Sequence, residues 1–327
     1  MPLNKDTDQA RDRADEAYER GDHEAAIAEL RPLAEAGDEW AQCNLGMMYD
    51  NGWGVEEDIV KAMRWYRAAA DQGDATGQYN VGTLYEYGEG VEQDYEEAAR
   101  WYRMAAEQEH PKAQNSLGVL YDDGQGIEQN KGAAVRWYRK AAEQGHGGAQ
   151  YNLGQMYDEG QGITQDHAEA AHWYQLAADQ GDPDAQCSLG FMLHEGLGVA
   201  QDDGEAMRWY HLAAEQGHGG ALCNLGIMYA NNQGVDKDDV EALRWCRLAV
   251  DQGNARAQYL LGCAYDEGLG VERDLVQARA LALLAAEGAD EDAPDLLEEL
   301  AGKMSLKQIT EAEQVAEELR AKIKMAE

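Results

Sequence analysis

The chain repeats itself every 36 residues with no insertion, and a period of that length constrains the fold more than any other feature of its 327 residues. A Leu-Gly or Val-Gly pair recurs at Leu45-Gly46, Val81-Gly82, Leu117-Gly118, Leu153-Gly154, Leu189-Gly190, Leu225-Gly226 and Leu261-Gly262. A tryptophan keeps step with it at Trp65, Trp101, Trp137, Trp173, Trp209 and Trp245. Seven units therefore run over 41–76, 77–112, 113–148, 149–184, 185–220, 221–256 and 257–292. One such unit cannot bury its apolar face alone, so neighbours must stack around a continuous core.

Each unit reads as helix, loop, helix. In the fourth, Ala149, Leu153, Met156 and Tyr157 form an apolar stripe of helical period on a first helix, A. Gly160 and Gly162 break it, and Asp166 starts a second helix, B, with Ala170, Trp173, Tyr174, Ala177 and Ala178 on its apolar face. The slot of Asp166 holds Asp58, Asp94, Asn130, Asp202, Asp238 and Asp274 elsewhere, all good N-cap residues. Three residues on stand Glu97, Glu169, Glu205, Glu241 and Gln277, which predicts a reciprocal capping box in five of the seven units. A glycine in the middle of helix A costs about 1 kcal/mol relative to Ala. Its recurrence in every unit predicts close approach of a neighbouring helix, with the Trp-Tyr pair of a helix B filling the space.

The ends differ. Residues 1–40 read as a degenerate N-terminal capping repeat, with Ala14, Ala17 and Tyr18, then Ala26, Leu30, Leu33 and Ala34 in helix-B register. The seventh unit replaces the Trp-Tyr pair with Leu281-Ala282, an exchange expected where little follows to pack on it. Residues 293–327 are expected to form two closing helices, the second from an N-cap at Ser305 to about Lys322. The fold class is all-α, a solenoid of two-helix repeats.

Charge narrows the partners. Lys and Arg number 27 against 63 Asp and Glu, a formal charge of −36. Such a chain repels a phosphate backbone or an anionic membrane, so no nucleic acid is expected, and basic or neutral proteins are favoured. The same charge would also serve merely to keep a long surface dissolved. No apolar run reaches the roughly 18 to 20 residues of a membrane span, so no membrane insertion is expected. The segment from Met1 to Arg13 lacks the apolar stretch of a secretory leader, which points to a cytoplasmic protein. Cys43, Cys187, Cys223, Cys246 and Cys263 are odd in number and form no CxxC, so free thiols in a reducing compartment are expected rather than disulfides or a zinc site.

The recurring pattern Ala-Gln-x-Asn-Leu-Gly-x-x-Tyr-x-x-Gly-x-Gly-Val-x-x-Asp-x-x-x-Ala-x-x-Trp-Tyr-x-x-Ala-Ala-x-Gln-Gly over residues 41–292 resembles the SEL-like (Sel-one-like, SLR) repeats, relatives of the tetratricopeptide repeat. The resemblance implies a right-handed α/α superhelix with helix A lining the concave surface. It implies adaptor or scaffold work, often in bacterial signalling, host interaction or envelope processes, and no shared catalytic residues. Cysteine-rich members staple each repeat with a disulfide; this chain lacks that pairing.

Columns that hold constant across units serve the fold, and those that vary are free to serve something else. On helix A the third, seventh and tenth positions vary most and share one face. The resemblance puts that face inside the groove. Met47, Tyr79, Val119, Tyr151, Phe191, Ile227 and Tyr259 are the expected contact residues, with Asp50, Glu86, Asp122, Asp158, His194 and Asp266 as a polar rim. Apolar residues within such a rim suit a protein or peptide partner. The same residues would alternatively fill gaps between neighbouring A helices. Asn44, Asn80, Asn152 and Asn224 are expected to bond to the preceding repeat rather than to a guest.

No catalytic or metal constellation stands apart from the repeat, and no cofactor is expected. His110, His146 and His218 share a slot that elsewhere holds Asp74, Asp182, Asn254 and Asp290, an N-cap column. The leading reading is a non-catalytic, monomeric adaptor. A β-lactamase-like hydrolase and a self-associating scaffold are the alternatives.

Overall fold

The computed structural model describes residues 5–324, which hold eighteen α-helices and no strand. The first four residues of the expected N-terminal unit and the last three of the C-terminal segment lie outside the described residues. The chain divides into two compact units, with the boundary between Gln165 and Asp166. The first holds α1 (Lys5–Glu19), α2 (His23–Glu35), α3 (Glu39–Asn51), α4 (Ile59–Gln72), α5 (Ala75–Tyr87), α6 (Tyr95–Glu107), α7 (Pro111–Asp123), α8 (Lys131–Glu143) and α9 (Gly147–Glu159). The second holds α10 (His167–Ala178), α11 (Pro183–Glu195), α12 (Asp203–Glu215), α13 (Gly219–Asn231), α14 (Asp239–Asp251), α15 (Ala255–Glu267), α16 (Leu275–Glu287), α17 (Ala293–Lys303) and α18 (Leu306–Lys324). From α3 to α16 the odd-numbered helices are A and the even-numbered are B.

Within each unit A helices touch A helices and B helices touch B helices. In the first, Asn80 on α5 donates to Cys43 Sγ on α3 at 4.0 Å, and Asn152 on α9 to Asn115 on α7 at 3.1 Å. Arg67 on α4 lies 4.6 Å over the Trp101 ring on α6. In the second, Asn224 on α13 donates to Cys187 Sγ on α11 at 3.9 Å. Three of the four asparagines thus bond to the preceding repeat as expected, whereas Asn44 bonds within its own helix, to the Trp40 carbonyl.

The glycine of helix A and the tyrosine of helix B form one contact. A Cβ at Gly46, Gly82, Gly118 or Gly190 would stand 2.6–2.8 Å from the ring of Tyr66, Tyr102, Tyr138 or Tyr210 in the same repeat. The tyrosine alone fills this space. Its tryptophan neighbour turns to the preceding repeat instead, as Trp101 does in the core with Tyr66 and Ala70. The alanine column at Ala62, Ala98, Ala134, Ala206, Ala242 and Ala278 is buried throughout. A second glycine is equally constrained: at Gly126, with φ +64°, a Cβ would meet the Tyr95 carbonyl carbon at 2.2 Å, at the start of the preceding helix B.

Helix starts match the expected caps, but in four of the five expected units the capping box does not form. Asp58, Asp94, Asn130, Asp202, Asp238 and Asp274 each accept a backbone N–H of their own first turn. Their own N–H groups donate to helix-A carbonyls, those of Tyr49, Tyr85, Tyr121, Leu193, Tyr229 and Tyr265, at 2.8–3.1 Å. The donor that a box glutamate would accept is therefore already used. Glu97 and Glu205 pair with Arg100 and Arg208 at 2.9 and 2.6 Å, and Glu241 pairs with Arg244. These pairs are exposed and worth little. A reciprocal box does form at Ser305, whose N–H donates to Gln308 Oε1 while its hydroxyl accepts from the Gln308 N–H.

The ends pack differently from the middle. Ala14 and Ala17 of α1 and Ile27 and Leu30 of α2 share a core with Leu45 and Met48 of α3. At the other end the expectation that little follows Leu281-Ala282 is wrong. Ala278 and Ala282 pack against Leu296 and Leu300 of α17, so the missing ring makes room for another helix. The ion pairs Arg320–Glu287 and Lys322–Asp251, at 2.5 and 2.6 Å, tie α18 to α16 and α14.

A candidate protein-binding face

In the first unit Met47 on α3 and Val119 on α7 take the seventh position of their repeats. Tyr79 on α5 and Tyr151 on α9 take the third, one helical turn away on the same face, and all four are half-buried. Tyr79 stacks on His110 with ring centroids 5.1 Å apart, and its ring lies 5.7 Å from that of Tyr102. In the second unit Phe191 on α11 and Ile227 on α13 take the seventh position and Tyr259 on α15 the third. Phe191 is the most open of the seven, 47% exposed. Ile227 and Tyr259 are half-buried, and Arg256 covers the Tyr259 ring at 4.8 Å. A hydrogen bond with Cys263, together with burial, pushes the Tyr259 phenol up to about 12.

The rim is less free than its sequence suggests. Asp50 accepts the Tyr66 hydroxyl at 2.9 Å, and Glu86 accepts that of Tyr102. These carboxylates thus complete the glycine–tyrosine contact while remaining half-buried at the edge of the face. Asp122 pairs with Lys131 at 2.5 Å, and Asp158 is half-buried. His194 is held by Asp203 at 2.7 Å and lies 3.3 Å from Gln233. Asp266 departs furthest from an open rim: it is 5% exposed and bound by Lys303 at 2.5 Å and Arg273 at 3.3 Å. Burial alone would raise its carboxyl, but the hydrogen bonds from Lys303 and Arg273 outweigh that and hold it below the usual value.

Sequence reasoning missed a buried glutamine column behind this face. Gln42, Gln78, Gln114 and Gln150 in the first unit, and Gln186 in the second, donate to the last-turn carbonyl of the preceding helix B at 3.0–3.3 Å. Gln72, Gln108 and Gln144 donate to the first three, and Gln216 to Gln186, at 2.8–3.0 Å. The signal was the second glutamine, 30 residues after the first in each of these five repeats.

The histidines are spent on helix starts. Nδ1 of His110, His146 and His218 accepts the N–H of Ala113, Ala149 and Ala221 at 3.1–3.2 Å. Burial, with Lys112 nearby, lowers the pKa of His110 and His146, and protonation would abolish the acceptor. The unfolded chain therefore takes up these protons first. Stability is fully present above about pH 6.5 and is lost as pH falls from there through the lower native values. Changing both residues to Asn, which caps α15 as Asn254, is expected to flatten the fall in melting temperature between pH 7.5 and 5.5. An unchanged fall would contradict this account. The five thiols are free. Burial pushes those of Cys187 and Cys223 up to about 12, so they stay neutral. No helix among the described residues is long and apolar enough to cross a membrane.

Comparison with known proteins agrees with this geometry. The Sel1 repeat family matches at residues 41–74, 75–110, 111–146, 148–182, 183–218, 220–254 and 255–290. A Sel1 repeat protein from Oxalobacter formigenes is 35% identical, over 75% of this chain and 97% of its own, with a TM-score of 0.67. A protective antigen of uropathogenic Escherichia coli strains displaying an SLR fold is 31% identical, over 92% of this chain and 80% of its own, with a TM-score of 0.46. Among curated proteins no sequence matches the chain.

Proposed function

Because the chain belongs to the Sel1 repeat family, whose members are generally non-catalytic scaffolds, we propose that it is an adaptor that binds a polypeptide along the face its A helices present. The observation that carries this reading is Phe191, a large apolar side chain left 47% exposed at a position that varies from repeat to repeat. A residue serving only the fold would be constant and covered, as the alanine column is. Aromatic anchors at the centre of a face, with near-neutral contacts around them, supply most of the energy of a typical protein interface. The charge of −36 favours a basic or neutral partner and speeds its encounter more than it strengthens the complex. The protein acts as a monomer in the cytoplasm, without cofactor or catalysis.

The test is capture from native lysate with wild-type protein and with a variant carrying Tyr151→Ser, Phe191→Ser and Ile227→Ser. A partner retained only by wild type, with helicity and melting temperature of the variant unchanged, is the expected result. Equal capture by both would overturn the assignment of the face. Joint loss of folding and binding would assign the three residues to the core.

A further inference from the structure

The sixth repeat breaks the glycine–tyrosine contact on both sides at once. In four other repeats a tyrosine ring lies against the helix-A glycine, and Tyr66 and Tyr102 donate their hydroxyls to Asp50 and Glu86. At the corresponding places residues 221–256 keep Gly226 but carry Cys246 for the tyrosine and Ala230 for the acid. A ring and its acceptor have gone together. What remains is a cavity of about 300 Å³ in the second unit, lined by Gly226, Ala230 and Cys246, the positions that bracket the ring elsewhere. Ile227 and Cys263 form its wall, and Leu269, 48% exposed, also lines it, which leaves it open to solvent. Of the polar residues on its lining, Asn231, Asp239 and Arg256, the carboxylate is paired with Lys237 and the guanidinium with Asp290 and Asp292. The seventh repeat also lacks the ring, but there α17 packs on Ala282, whereas among the described residues no helix fills the cavity beside Cys246.

We propose that this cavity takes the phenylalanine side chain of the bound polypeptide, a proposal that rests on reading the A-helix face as the partner surface. The shape is argued by the sister repeats, which fill the same space with an aromatic ring from their own helix B. The choice of Phe over Tyr follows from Ala230. A phenol placed here loses the carboxylate that accepts its hydroxyl in the first two repeats, and burying an unpaired hydroxyl is unfavourable. The cavity is mostly, not wholly, apolar, and apolar cavities bind apolar rings of matching size. The Cys246 thiol is pushed up to about 11 by burial, so it presents a neutral sulfur rather than a charge that would repel a ring.

The experiment uses toluene and p-cresol as the two side-chain probes and follows the methyl resonances of Ile227, Ala230 and Ala264 in the full chain. Toluene is expected to shift them, p-cresol to bind more weakly, and Cys246→Tyr, which restores the sister arrangement, to abolish both responses. Ala230→Leu, which narrows the cavity from helix A, serves if Cys246→Tyr does not fold. Ala230→Asp is expected to move the preference towards p-cresol by about tenfold. In a second arm, the peptide acetyl-Lys-Phe-Lys-amide is expected to compete with toluene while its Ala counterpart does not. Absence of a toluene response overturns the proposal and leaves the adaptor reading to its own capture test. A toluene response without discrimination between the peptides also overturns it, because the occupant would then be a free aromatic molecule.

Discussion

Tyr138→Ala is expected to destabilise the protein by about 3–5 kcal/mol, the range for emptying the place of a fully buried aromatic ring. Tyr138 is 2% exposed and rests on Gly118, where a Cβ would lie 2.6 Å from the ring. The two positions must therefore be coupled. Gly118→Ala alone gains about 1 kcal/mol of helix propensity but pays about 1–3 kcal/mol in overpacking, so its net effect is neutral to destabilising. Once Tyr138 is Ala the clash is gone, and the same change should stabilise by about 1 kcal/mol. A double-mutant cycle in urea reads the difference directly. Additive effects would mean that the glycine is kept for some reason other than the ring.

The second large effect belongs to the C-terminal end. Leu300 is fully buried on α17, in a cluster with Ala278, Ala282 and Leu296. Leu300→Ala is expected to cost about 2–5 kcal/mol, as for other buried leucines. Because α17 occupies space that other repeats give to a tyrosine, the loss should spread into the seventh repeat. Amide hydrogen exchange is expected to rise in α15 and α16 before it rises in α13 and α14. Leu297, which is only partly buried, supplies the control, and Leu297→Ala should cost less. If Leu300→Ala left the urea midpoint and the exchange pattern unchanged, α17 would be a passive appendage rather than part of the fold.

What the sequence made legible was whatever the repeat states locally and states seven times. The helix-A glycine announced a close neighbour because its cost recurs with no local gain, and the N-cap columns of Asp, Asn and His announced helix starts because side-chain capping is a local event. Failures came where a local motif competed with a distant partner. The Asp-x-x-Glu spacing reads as a capping box, but the Asp N–H is taken by a helix-A carbonyl nine residues earlier, as in Asp94 to Tyr85. The rim column looked free because it varies, yet Asp50 and Glu86 vary together with nothing but the choice of acid and serve a tyrosine 16 residues on. The joint loss of acid and ring at Ala230 and Cys246 was visible in the alignment of the units, and only the hydrogen bond gives it a meaning. Leu281-Ala282 was misread because nothing in the repeat describes α17. The exposure of Phe191 was legible, since variation at helical spacing is what a helix surface shows in sequence.

The central claim is that partners are recognised on the A-helix face and not on the B helices. Leu248 on α14 is 40% exposed, close to the 47% of Phe191 on α11, so the two offer a matched pair of apolar side chains. The decisive measurement is the dissociation constant of a captured partner for Phe191→Ser and for Leu248→Ser, beside wild type. The account predicts that Phe191→Ser weakens binding by about tenfold or more, corresponding to about 1.4 kcal/mol or more, while Leu248→Ser leaves it within about twofold. Loss of binding with Leu248→Ser and retention with Phe191→Ser would place recognition on the B helices and contradict it.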